Sequence, residues 1–350
     1  MPIVFVTNYL TPYQAALFSR SSDVIITYSP LEENRQWTPL RAEAHVKDVS
    51  RLQLRKRLCE ILRECNDPSD GFLIGGSARS PEFWFSIAVC RLRRVPFAIW
   101  LERPRAPVGL IRRNVLRLAL GKTGIILGVG TTATASYRQL IPGTKVSNFP
   151  YSYGRTVPVG ARRNGNRAPG QKVTALFIGT DWARKGLDIF LAAATEMPRA
   201  LQSRLELRIA GLSELPLDLK GIVGMTPAAH VAYLGYLEPD ELRRELGCAD
   251  VLVVPSRYDG WAVVVEEAMA EGTPVIASDA VGAAADLVVD GYSGFSFPSG
   301  DSGALAVALS AVMSRGTSDQ ALSAGAMAIV IRHRDMYDIE SLEQAIRGAS

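Results

Sequence analysis

Two carboxylates eight residues apart, Asp259 and Glu267, are the side chains best placed for chemistry in this sequence. They lie in residues 251–279, VLVVPSRYDGWAVVVEEAMAEGTPVIASD, where the pattern predicts a buried strand, a loop, a helix and a second buried strand. At a rise of about 1.5 Å per helical residue, the two acids would be roughly 8–12 Å apart. Each carboxylate accepts two hydrogen bonds, so the pair suits vicinal hydroxyls at the two ends of one ligand, whereas the alternative is two solvated charges beside a core helix. Glu266, about 100° around the helix from Glu267, is expected to be a surface charge.

The loop after the first acid would offer a binding site for an anion or a hydroxyl group. Gly260 lacks a side chain, so a ligand can approach the backbone there. The helix predicted to begin near Trp261 would present free N–H groups to that ligand. A second predicted helix start, FIGTDWARKGLD at residues 177–188, carries Arg184 and Lys185, which are either anion ligands or an ordinary helix-start charge pair.

Positioning these groups requires alternating strands and helices, and the sequence has this pattern. Short β-rich runs alternate with longer amphipathic stretches along the chain, which is typical of parallel sheets with crossover helices. A doubly wound sheet binds its ligand beyond the carboxyl ends of its strands, where both loops above would lie. The predicted strands are Ile3–Thr7, Val24–Tyr28, Phe72–Gly75, Phe97–Leu101, Ile125–Val129, Lys145–Asn148, Val173–Ile178, Glu206–Ala210, Val231–Leu234, Val251–Val254, Pro274–Ala277 and Gly294–Phe297.

Two domains are expected from a chain of 350 residues that is 47% hydrophobic, since single cores rarely grow beyond roughly 250 residues. Residues 158–170, PVGARRNGNRAPG, indicate a hinge or linker. The charge balance also changes, because residues 1–170 hold 25 basic and 11 acidic side chains whereas residues 171–350 hold 14 and 24. We therefore predict an N-terminal domain of residues 1–168, a C-terminal domain of residues 169–330 and a C-terminal helix of residues 331–350.

The stretch from Pro255 to Ser278 resembles the retaining family-4 glycosyltransferases of GT-B fold. Two departures matter from the family motif, P-S-x-x-E-G-F-G-x-x-x-x-E-A-x-A-x-G-x-P-V-x-A-S, besides the conservative change of its Phe to Trp261. Its first Glu is Asp259, one methylene shorter, and its second Gly is Ala262. The resemblance implies two Rossmann-like domains that face each other across a cleft, with the C-terminal helix returning to the first domain. The motif is matched by Pro255, Ser256, Gly260, Glu267, Ala268, Ala270, Gly272, Pro274, Val275, Ala277 and Ser278.

The resemblance also implies that the second domain binds a nucleoside diphosphate sugar. Asp259 would contact hydroxyls of the transferred sugar, and Glu267 would contact the donor ribose. Family members hold the diphosphate with a Lys in a G-x5-K-G pattern and with an Arg just after its first Gly. Lys185 matches this Lys, the Arg position is Thr180, and Arg184 is the candidate to supply the missing charge.

A further segment is similar to the part of the family that lies against the nucleobase. Residues 233–237, YLGYL, resemble the family's F-L-G-x-V, and Tyr236 would either stack on the base or belong to the core. The predicted donor-binding residues are Gly179, Thr180, Arg184, Lys185, Gly211, Leu234, Gly235, Ser256, Asp259, Gly260, Trp261, Ala262, Val263 and Glu267. The predicted catalytic residues are Lys185, Arg184, Asp259, Glu267 and, from the first domain, Glu102.

Two loops of the first domain are candidates for binding the acceptor. Residues 8–13, NYLTPY, follow the first strand and look like the family's opening loop, which makes Thr11 a candidate. Gly75, Gly76 and Ser77 follow another predicted strand, at the end where ligands are expected. Either loop is alternatively a structural turn.

Glu102 stands where the family often has a catalytic histidine. That histidine ends a strand with the pattern PxxxxxH, and counting from Pro96 places Glu102 at its position. Glu102 is therefore a candidate acceptor-side carboxylate. The alternative is a strand-end acid that pairs with Arg103 or Arg105.

The expected activity is transfer of a hexose-like sugar from a nucleoside diphosphate donor to an acceptor hydroxyl, with retention of the anomeric configuration. By resemblance, the acceptor would belong to bacterial cell-surface polysaccharide, lipopolysaccharide or glycolipid assembly, and a UDP donor is expected from its frequency in the family. No cofactor and no metal are expected, since neither an acidic metal cluster nor a zinc-ligand pattern is evident.

The sequence disfavours two other classes of function and leaves a third open. A glycosidase needs two carboxylates on opposite sides of one bond, about 5–10 Å apart, whereas Asp259 and Glu267 come from one strand–loop–helix unit. A Rossmann-type oxidoreductase is disfavoured because no G-x-G-x-x-G follows the first strand. A non-catalytic nucleotide-sugar-binding protein stays open as the alternative, because Thr180, Asp259, Ala262 and Glu102 depart from the family pattern.

An anionic membrane surface is the expected partner besides the sugar substrates. Residues 108–120, VGLIRRNVLRLAL, mix apolar residues with arginines, as in a helix that lies on such a surface, whereas the alternative is a solvated basic face over a core helix. No nucleic acid is expected, since no nucleic-acid module is recognisable. The start, MPIVFVTN, lacks a signal-peptide pattern and no apolar run reaches roughly 20 residues, so we expect a cytoplasmic protein at or near the inner face of the membrane. Its cysteines are expected to be reduced and at least partly buried: Cys59, Cys65, Cys90 and Cys248.

Overall fold

A computed structural model describes most of the chain as two compact units. The described residues exclude 1–2, 19–22, 30–44, 65–70, 77, 106–107, 121–123, 154–171, 213, 215–218, 220, 222–229, 316–319 and 349–350. The first unit comprises Met1–Val157 together with Arg334–Ser350, and the second comprises Pro158–His333.

The first unit is built on a seven-stranded parallel sheet in the order β3-β2-β1-β4-β5-β6-β7. Its helices lie between the strands along the chain, as the alternating pattern requires. The strands are β1 (Ile3–Thr7), β2 (Val24–Thr27), β3 (His45–Asp48), β4 (Gly71–Ile74), β5 (Phe97–Leu101), β6 (Gly124–Gly128) and β7 (Val146–Asn148). The helices are α1 (Pro12–Leu17), α2 (Leu54–Glu64), α3 (Pro81–Arg93), α4 (Leu110–Leu120) and α5 (Thr131–Leu140).

The second unit is built on a six-stranded parallel sheet in the order β10-β9-β8-β11-β12-β13. Its strands are β8 (Val173–Ile178), β9 (Leu205–Ala210), β10 (His230–Gly235), β11 (Val251–Val254), β12 (Val275–Ser278) and β13 (Gly294–Phe297). Its helices are α6 (Trp182–Lys185), α7 (Leu187–Glu196), α8 (Arg199–Gln202), α9 (Pro239–Cys248), α10 (Val264–Ala270), α11 (Ala284–Leu287) and α12 (Ser302–Arg315). Two helices follow, α13 (Gln320–Met336) and α14 (Ile339–Arg347).

Both sheets are doubly wound. In each, the chain starts at a central strand, fills one side of the sheet and then returns to fill the other. The direction reverses between β1 and β4 in the first unit and between β8 and β11 in the second. The predicted α/β fold class is therefore confirmed, and the two reversal points are where a sheet of this kind leaves a crevice for ligands.

Each sheet has a separate apolar core. Strands of the first unit bury Phe5, Phe72 and Phe97 completely. In the second unit, Phe177 of β8 stacks on Phe190 of α7, with ring centroids 6.3 Å apart. Full burial of a side chain of this size contributes roughly 1.5–3 kcal/mol, so these rings fix how the strands and helices that precede the ligand-side loops pack.

The last helix, α14, packs on the first sheet. An added Cβ at Gly71, the first residue of β4, would come within 2.6 Å of the Ile346 side chain. Asn148 donates a 3.0 Å hydrogen bond to the Tyr337 hydroxyl, and Lys145 Nζ donates to the Gly348 carbonyl at 2.9 Å. Glycine at position 71 is thus required for close approach of the helix to the strand.

The predicted strands are all present with small shifts at their ends, but β3 was not predicted. Its sequence, HVKD, is mostly exposed, with Val46 40% exposed, so it lacks the apolar run by which buried strands are recognised. The thiol prediction is also wrong at one position, because Cys59 is exposed, whereas Cys90 is buried and Cys248 half-buried. Cys65 and the predicted hinge at residues 158–170 lie outside the described residues.

Candidate active site

The loop after β8 and the loop after β11 lie side by side, because these two strands are neighbours at the reversal point of the second sheet. After β8, Asp181 caps α6 by accepting a 3.3 Å hydrogen bond from the Arg184 backbone N–H. Gly186 then adopts φ +77°, and an added Cβ there would come within 2.1 Å of the Pro255 carbonyl oxygen. The left-handed turn therefore requires glycine and presses Lys185 against the loop after β11.

Lys185 and Arg184 converge on the carboxylate of Asp259. Lys185 Nζ donates a 2.6 Å hydrogen bond to Asp259 Oδ2, and Arg184 Nη1 is 3.9 Å from the same oxygen. Arg184 is held in this position by Asp181, whose Oδ2 accepts a 2.9 Å hydrogen bond from its Nε atom, and by the Tyr258 carbonyl at 3.2 Å. Lys185 and Arg184 thus face two carboxylates, Asp259 and Asp181, and their N–H groups are donors of the kind that bind a diphosphate.

The loop that carries Asp259 is fixed on both sides. The Asp259 backbone N–H donates to the Ala280 carbonyl at 3.2 Å, and the Asp259 carbonyl accepts from the Gly282 N–H at 3.1 Å. On the other side, Arg257 forms two hydrogen bonds with the Asp188 carboxylate, of 2.6 and 2.8 Å. Burial alone would raise the pKa of Asp188, but the hydrogen bonds and charge of Arg257 outweigh it and hold that pKa below its ordinary value. Neither Asp188 nor Arg257 was predicted as a site residue, although Asp188 ends the stretch FIGTDWARKGLD and Arg257 lies within the motif that begins at Pro255.

Glu267 lies one turn into α10, half-buried, and its backbone N–H donates to the Val263 carbonyl at 3.1 Å. The helix begins at Val264, three residues later than predicted. The reason is Ala262, which has φ +71° and so adopts the left-handed conformation that precedes the helix. A side chain in this conformation is strained, and the family motif has glycine at this position. Ala262 thus adopts a left-handed backbone conformation that favours glycine, the residue that the family motif has at this position.

Three glycines meet at the carboxyl ends of β8, β9 and β10. Gly179 N–H donates to the Ala210 carbonyl at 3.0 Å, and Gly211 N–H donates to the Gly235 carbonyl at 2.7 Å. An added Cβ at Gly211, whose φ is +91°, would come within 2.9 Å of Gly179 backbone atoms. The structure therefore brings these predicted donor-binding residues together. Near them, Leu234 is half-buried, while Thr180 and Tyr236 are exposed, so Tyr236 is not a core residue.

Three predicted donor-binding side chains are buried, those of Ser256, Trp261 and Ala262. Ser256 is fully buried, and its carbonyl accepts a 2.5 Å hydrogen bond from Ser278 Oγ. Trp261 is 1% exposed, and its indole stacks on His333 with ring centroids 5.8 Å apart. The side chains of Ser256 and Trp261 pack in the interior, so these two residues could contact a ligand only through their backbone atoms. The contacts of Val263 with a ligand stay a prediction.

The prediction that Glu266 is a surface charge is wrong. Its side chain is fully buried, and its Oε2 atom is 3.9 Å from Nε2 of His333. The cause is that α10 is covered on more than one face, since Val265, Ala268 and Met269 are also buried. A rotation of about 100° from Glu267 therefore points Glu266 into the unit and not to solvent.

The predicted acceptor-side residues of the first unit serve partly structural roles. Thr11 is buried and caps α1, its Oγ1 accepting from Gln14 N–H at 3.4 Å. Gly76 has φ +85°, and an added Cβ there would come within 2.9 Å of Asn8 N, so the loops after β1 and β4 touch at the reversal point. Gly75 packs against the Phe5 ring. Ser77 lies outside the described residues.

Glu102 follows β5 directly and is exposed, and its carbonyl accepts a 3.2 Å hydrogen bond from the Tyr137 hydroxyl. Its carboxylate contacts Tyr151. This tyrosine was not predicted as a site residue, although the run FPYSY at residues 149–153 follows a predicted strand and so lies at the same end of the sheet.

Comparison with known proteins identifies the class of the second unit. Residues 160–327 match the family model described as glycosyl transferases group 1, so this part of the chain belongs to that family. D-inositol 3-phosphate glycosyltransferase of Geodermatophilus obscurus is 35% identical over 186 residues, which cover 51% of this chain and 40% of that protein. Phosphatidyl-myo-inositol mannosyltransferase of Mycobacterium leprae is 34% identical over 145 residues, covering 40% and 37%. The matches thus span less than half the length of these relatives.

Solved structures match over the whole chain. HepE of Anabaena in complex with UDP-glucose superposes with a TM-score of 0.72 at 15% identity, covering 99% of this chain and 98% of that one. Sucrose-phosphate synthase of Thermosynechococcus elongatus has a TM-score of 0.71 at 18% identity, with 100% of both chains covered. At these identities the likeness shows the fold alone, which is the GT-B fold expected from the sequence.

Proposed function

We propose that this chain is a retaining glycosyltransferase that moves a sugar from a nucleoside diphosphate donor to an acceptor hydroxyl. The observation that carries the proposal is the convergence of Lys185 and Arg184 on Asp259 at the reversal point of the second sheet. It falls in the part of the chain that matches glycosyl transferases group 1. The two cations would bind a diphosphate in an enzyme and in a binding protein alike, so turnover of the donor separates the two functions.

The chemistry assigned to these residues follows from the leaving group. A nucleoside diphosphate leaves with developing negative charge, and fixed positive charges aimed at it lower the barrier. Lys185 and Arg184 would supply that charge, and Asp259 would hold Lys185 in place before the donor binds and contact the transferred sugar afterwards. Glu267 would accept hydrogen bonds from the donor ribose. A donor phosphate oxygen would take the proton of the acceptor hydroxyl, which keeps the reaction on one face of the sugar.

UDP is the proposed nucleotide, supported by HepE, whose fold this chain shares and which was solved with UDP-glucose. We propose that no metal and no other cofactor takes part, because Lys185 and Arg184 supply the charge that a metal ion would otherwise supply. Unchanged donor hydrolysis in excess EDTA would support this, and its loss with recovery on adding Mg²⁺ would contradict it.

A membrane-bound glycolipid or polysaccharide precursor is the proposed acceptor, with the protein peripheral at the cytoplasmic face. Helix α4 exposes a row of apolar side chains, and Leu92 of α3, a helix that contacts α4, is 82% exposed. Basic side chains flank this row, among them Arg113 and Arg117 of α4 and Arg93 of α3. Apolar insertion beside cations suits an anionic bilayer surface. No helix among the described residues is long and apolar enough to cross a bilayer. The exposed apolar residues of α4 are Leu110, Ile111, Val115 and Leu118, which are 44–83% exposed.

The test is to measure nucleotide binding and donor turnover together. Thermal shift and calorimetry with UDP, GDP, ADP and their glucose conjugates identify the nucleotide, since a ligand that binds only the folded state raises the Tm. Donor hydrolysis and the anomeric configuration of any product are then followed by NMR. The proposal requires binding and slow hydrolysis of one donor. Tight nucleotide binding with no hydrolysis or transfer of any donor would instead favour the alternative, a non-catalytic nucleotide-sugar-binding protein, which the departures at Thr180 and Ala262 motivate.

A further inference from the structure

An aromatic cluster lies at the carboxyl ends of the strands in the first unit. Tyr13 lies in the first turn of α1, shortly after β1, Trp100 lies near the end of β5, and Tyr151 and Tyr153 follow β7. The ring centroids of Tyr13 and Tyr151 are 4.6 Å apart, and those of Trp100 and Tyr151 are 4.8 Å apart. Tyr153 meets Tyr13 edge-on at 6.4 Å. Since three strands separate β1 from β7 in the sheet, segments from both sides of its centre meet in this cluster.

Hydrogen bonds connect the tyrosine hydroxyls to Glu102. The Tyr151 hydroxyl contacts both the Glu102 carboxylate and the Tyr13 hydroxyl, and the Tyr13 hydroxyl also contacts the side chain of Thr11. Burial raises the pKa of both phenols well above the ordinary value, and the negative charge of Glu102 raises it further. Both tyrosines are therefore neutral at physiological pH and can each donate and accept a hydrogen bond.

Part of this cluster faces solvent. Glu102 is exposed, and the rings of Tyr13, Tyr151 and Tyr153 are only half-buried. The indole of Trp100 is 3% exposed and donates to the Phe149 carbonyl at 2.7 Å, so it forms a fixed base behind Tyr151. The accessible groups are thus the Glu102 carboxylate and aromatic surface, and the buried hydroxyls of Tyr13 and Tyr151 lie behind them. A sugar ring presents the complementary groups, with hydroxyls at its rim and C–H groups on its faces.

We propose that Tyr13, Tyr151 and Glu102 form the acceptor subsite, and that it takes an uncharged polyhydroxylated ring whose hydroxyls bond to Glu102. This inference rests on the proposed function and names the class of its acceptor. A phosphate group placed against Glu102 would be repelled by the negative charge of its carboxylate. Arg103 and Arg105 follow Glu102 in the chain. A subsite built around them would prefer the phosphorylated ring, so the two arrangements predict opposite selectivity.

Matched probes separate the two arrangements. Glucose, mannose and galactose, each paired with its 6-phosphate, are titrated up to 50 mM into the full-length chain saturated with UDP, and binding is followed by saturation-transfer NMR. We expect at least one neutral sugar to bind about tenfold more tightly than its phosphate. Tighter binding of the phosphate in every pair, or no binding of any neutral sugar, would overturn the proposal.

Two conservative variants then test the residues. Tyr151→Phe removes one hydroxyl and keeps the ring, and Glu102→Gln keeps the shape and removes the charge. Loss of one hydrogen bond to a neutral group weakens binding by about fivefold, and loss of one to a charged group by about tenfold or more. Glu102→Gln should also narrow the preference for the neutral sugar. Tyr292→Phe, at a 48% exposed tyrosine of the second unit, is the matched control and should change nothing.

The outcomes distinguish a failure of the acceptor subsite from a failure of the proposed glycosyltransferase function. If the unaltered chain does not bind UDP, the proposed function fails. A second outcome is that UDP binds to the unaltered chain and to both variants, and that the variants bind sugars as tightly as the unaltered chain. In that case the assignment of the acceptor subsite alone is wrong. Retained UDP binding together with weakened sugar binding in both variants supports the assignment, and it also shows that both variants are folded.

Discussion

His333 and Glu266 form a buried pair behind the loop that carries Asp259. Nε2 of His333 is 3.9 Å from Oε2 of Glu266, and the two residues are 3% and 0% exposed. The imidazole also stacks on Trp261, two residues after Asp259. Glu266, which directly precedes the motif residue Glu267, is thus a carboxyl group buried in the interior of the unit. His333 links this acid to the active-site loop.

Removing one member of this pair should cost substantial stability. We expect His333→Ala to lower the free energy of unfolding by about 2–5 kcal/mol, because it leaves a cavity beside the buried Glu266 and removes the surface on which Trp261 packs. Urea denaturation measures the change. His230→Ala, at an exposed histidine of the same unit, is the control and should stay within about 0.5 kcal/mol of the unaltered protein. Equal effects of the two substitutions would contradict a structural role for the pair.

Lys185→Ala should weaken binding of UDP and of the sugar donor by about 10- to 100-fold, since a hydrogen bond to a charged group contributes about 1.5–3 kcal/mol. Donor hydrolysis should fall at least as far, because the same charge faces the leaving group. Calorimetry and NMR-monitored hydrolysis provide the two measurements. Arg199→Ala removes an exposed cation of the same unit and should leave both unchanged. Unaltered UDP affinity in Lys185→Ala would remove this residue from the site.

Ala262→Gly should raise the free energy of unfolding by about 0.5–1 kcal/mol. The left-handed φ of +71° strains an alanine by roughly 1–2 kcal/mol, and the gain is partly offset by the greater freedom of glycine in the unfolded chain. The matched control is Ala328→Gly at an exposed position within α13, where the same change should lower stability by about 1 kcal/mol. Chemical denaturation of the two variants should therefore give shifts of opposite sign. Destabilisation by both would mean that the methyl group of Ala262 is needed for packing.

Replacing Ile111 and Leu118 of α4 together with serine should reduce binding to vesicles of one-third phosphatidylglycerol by about tenfold or more. These side chains are 83% and 72% exposed, and inserting them into lipid removes apolar surface from water. Vesicle co-sedimentation measures binding, and the arginine contribution should fade at 0.5 M salt. Val307→Ser, at a 71% exposed valine of the second unit, serves as the control. Equal binding by the double variant and the unaltered protein would exclude α4 as the membrane contact.

Sequence patterns were sufficient to predict the strands of the second unit. They did not predict which side chains contact each other. The buried runs at β8, β11 and β12 carry their own signal, and the motif after β11 placed Asp259 and Glu267 correctly on a loop and a helix. The ion pair between Lys185 and Asp259 joins residues 74 positions apart. It depends on the order of strands in the sheet, which local periodicity does not encode.

The failures have specific physical causes. Glu266 was predicted at the surface because it lies about 100° around the helix from Glu267, but α10 is covered on more than one face and the side chain is buried beside His333. Strand β3 lies at the edge of its sheet and is mostly exposed, so it lacks an apolar pattern. The tyrosines around Glu102 come from segments 138 positions apart, at Tyr13 and Tyr151. Their meeting depends on how the chain crosses the sheet.

The packing of α14 on β4 has a consequence for the order in which a growing chain can fold. Residues 337–348 complete the surface of the first sheet, and the hydrogen bond between Lys145 and Gly348 closes a span of 203 residues. On the ribosome, the first unit would therefore have to wait until residues 337–348 are synthesised, whereas all strands of the second unit are synthesised before them. Domains usually mature in the order of translation. Here the unit that begins the chain would be the last to reach its final state.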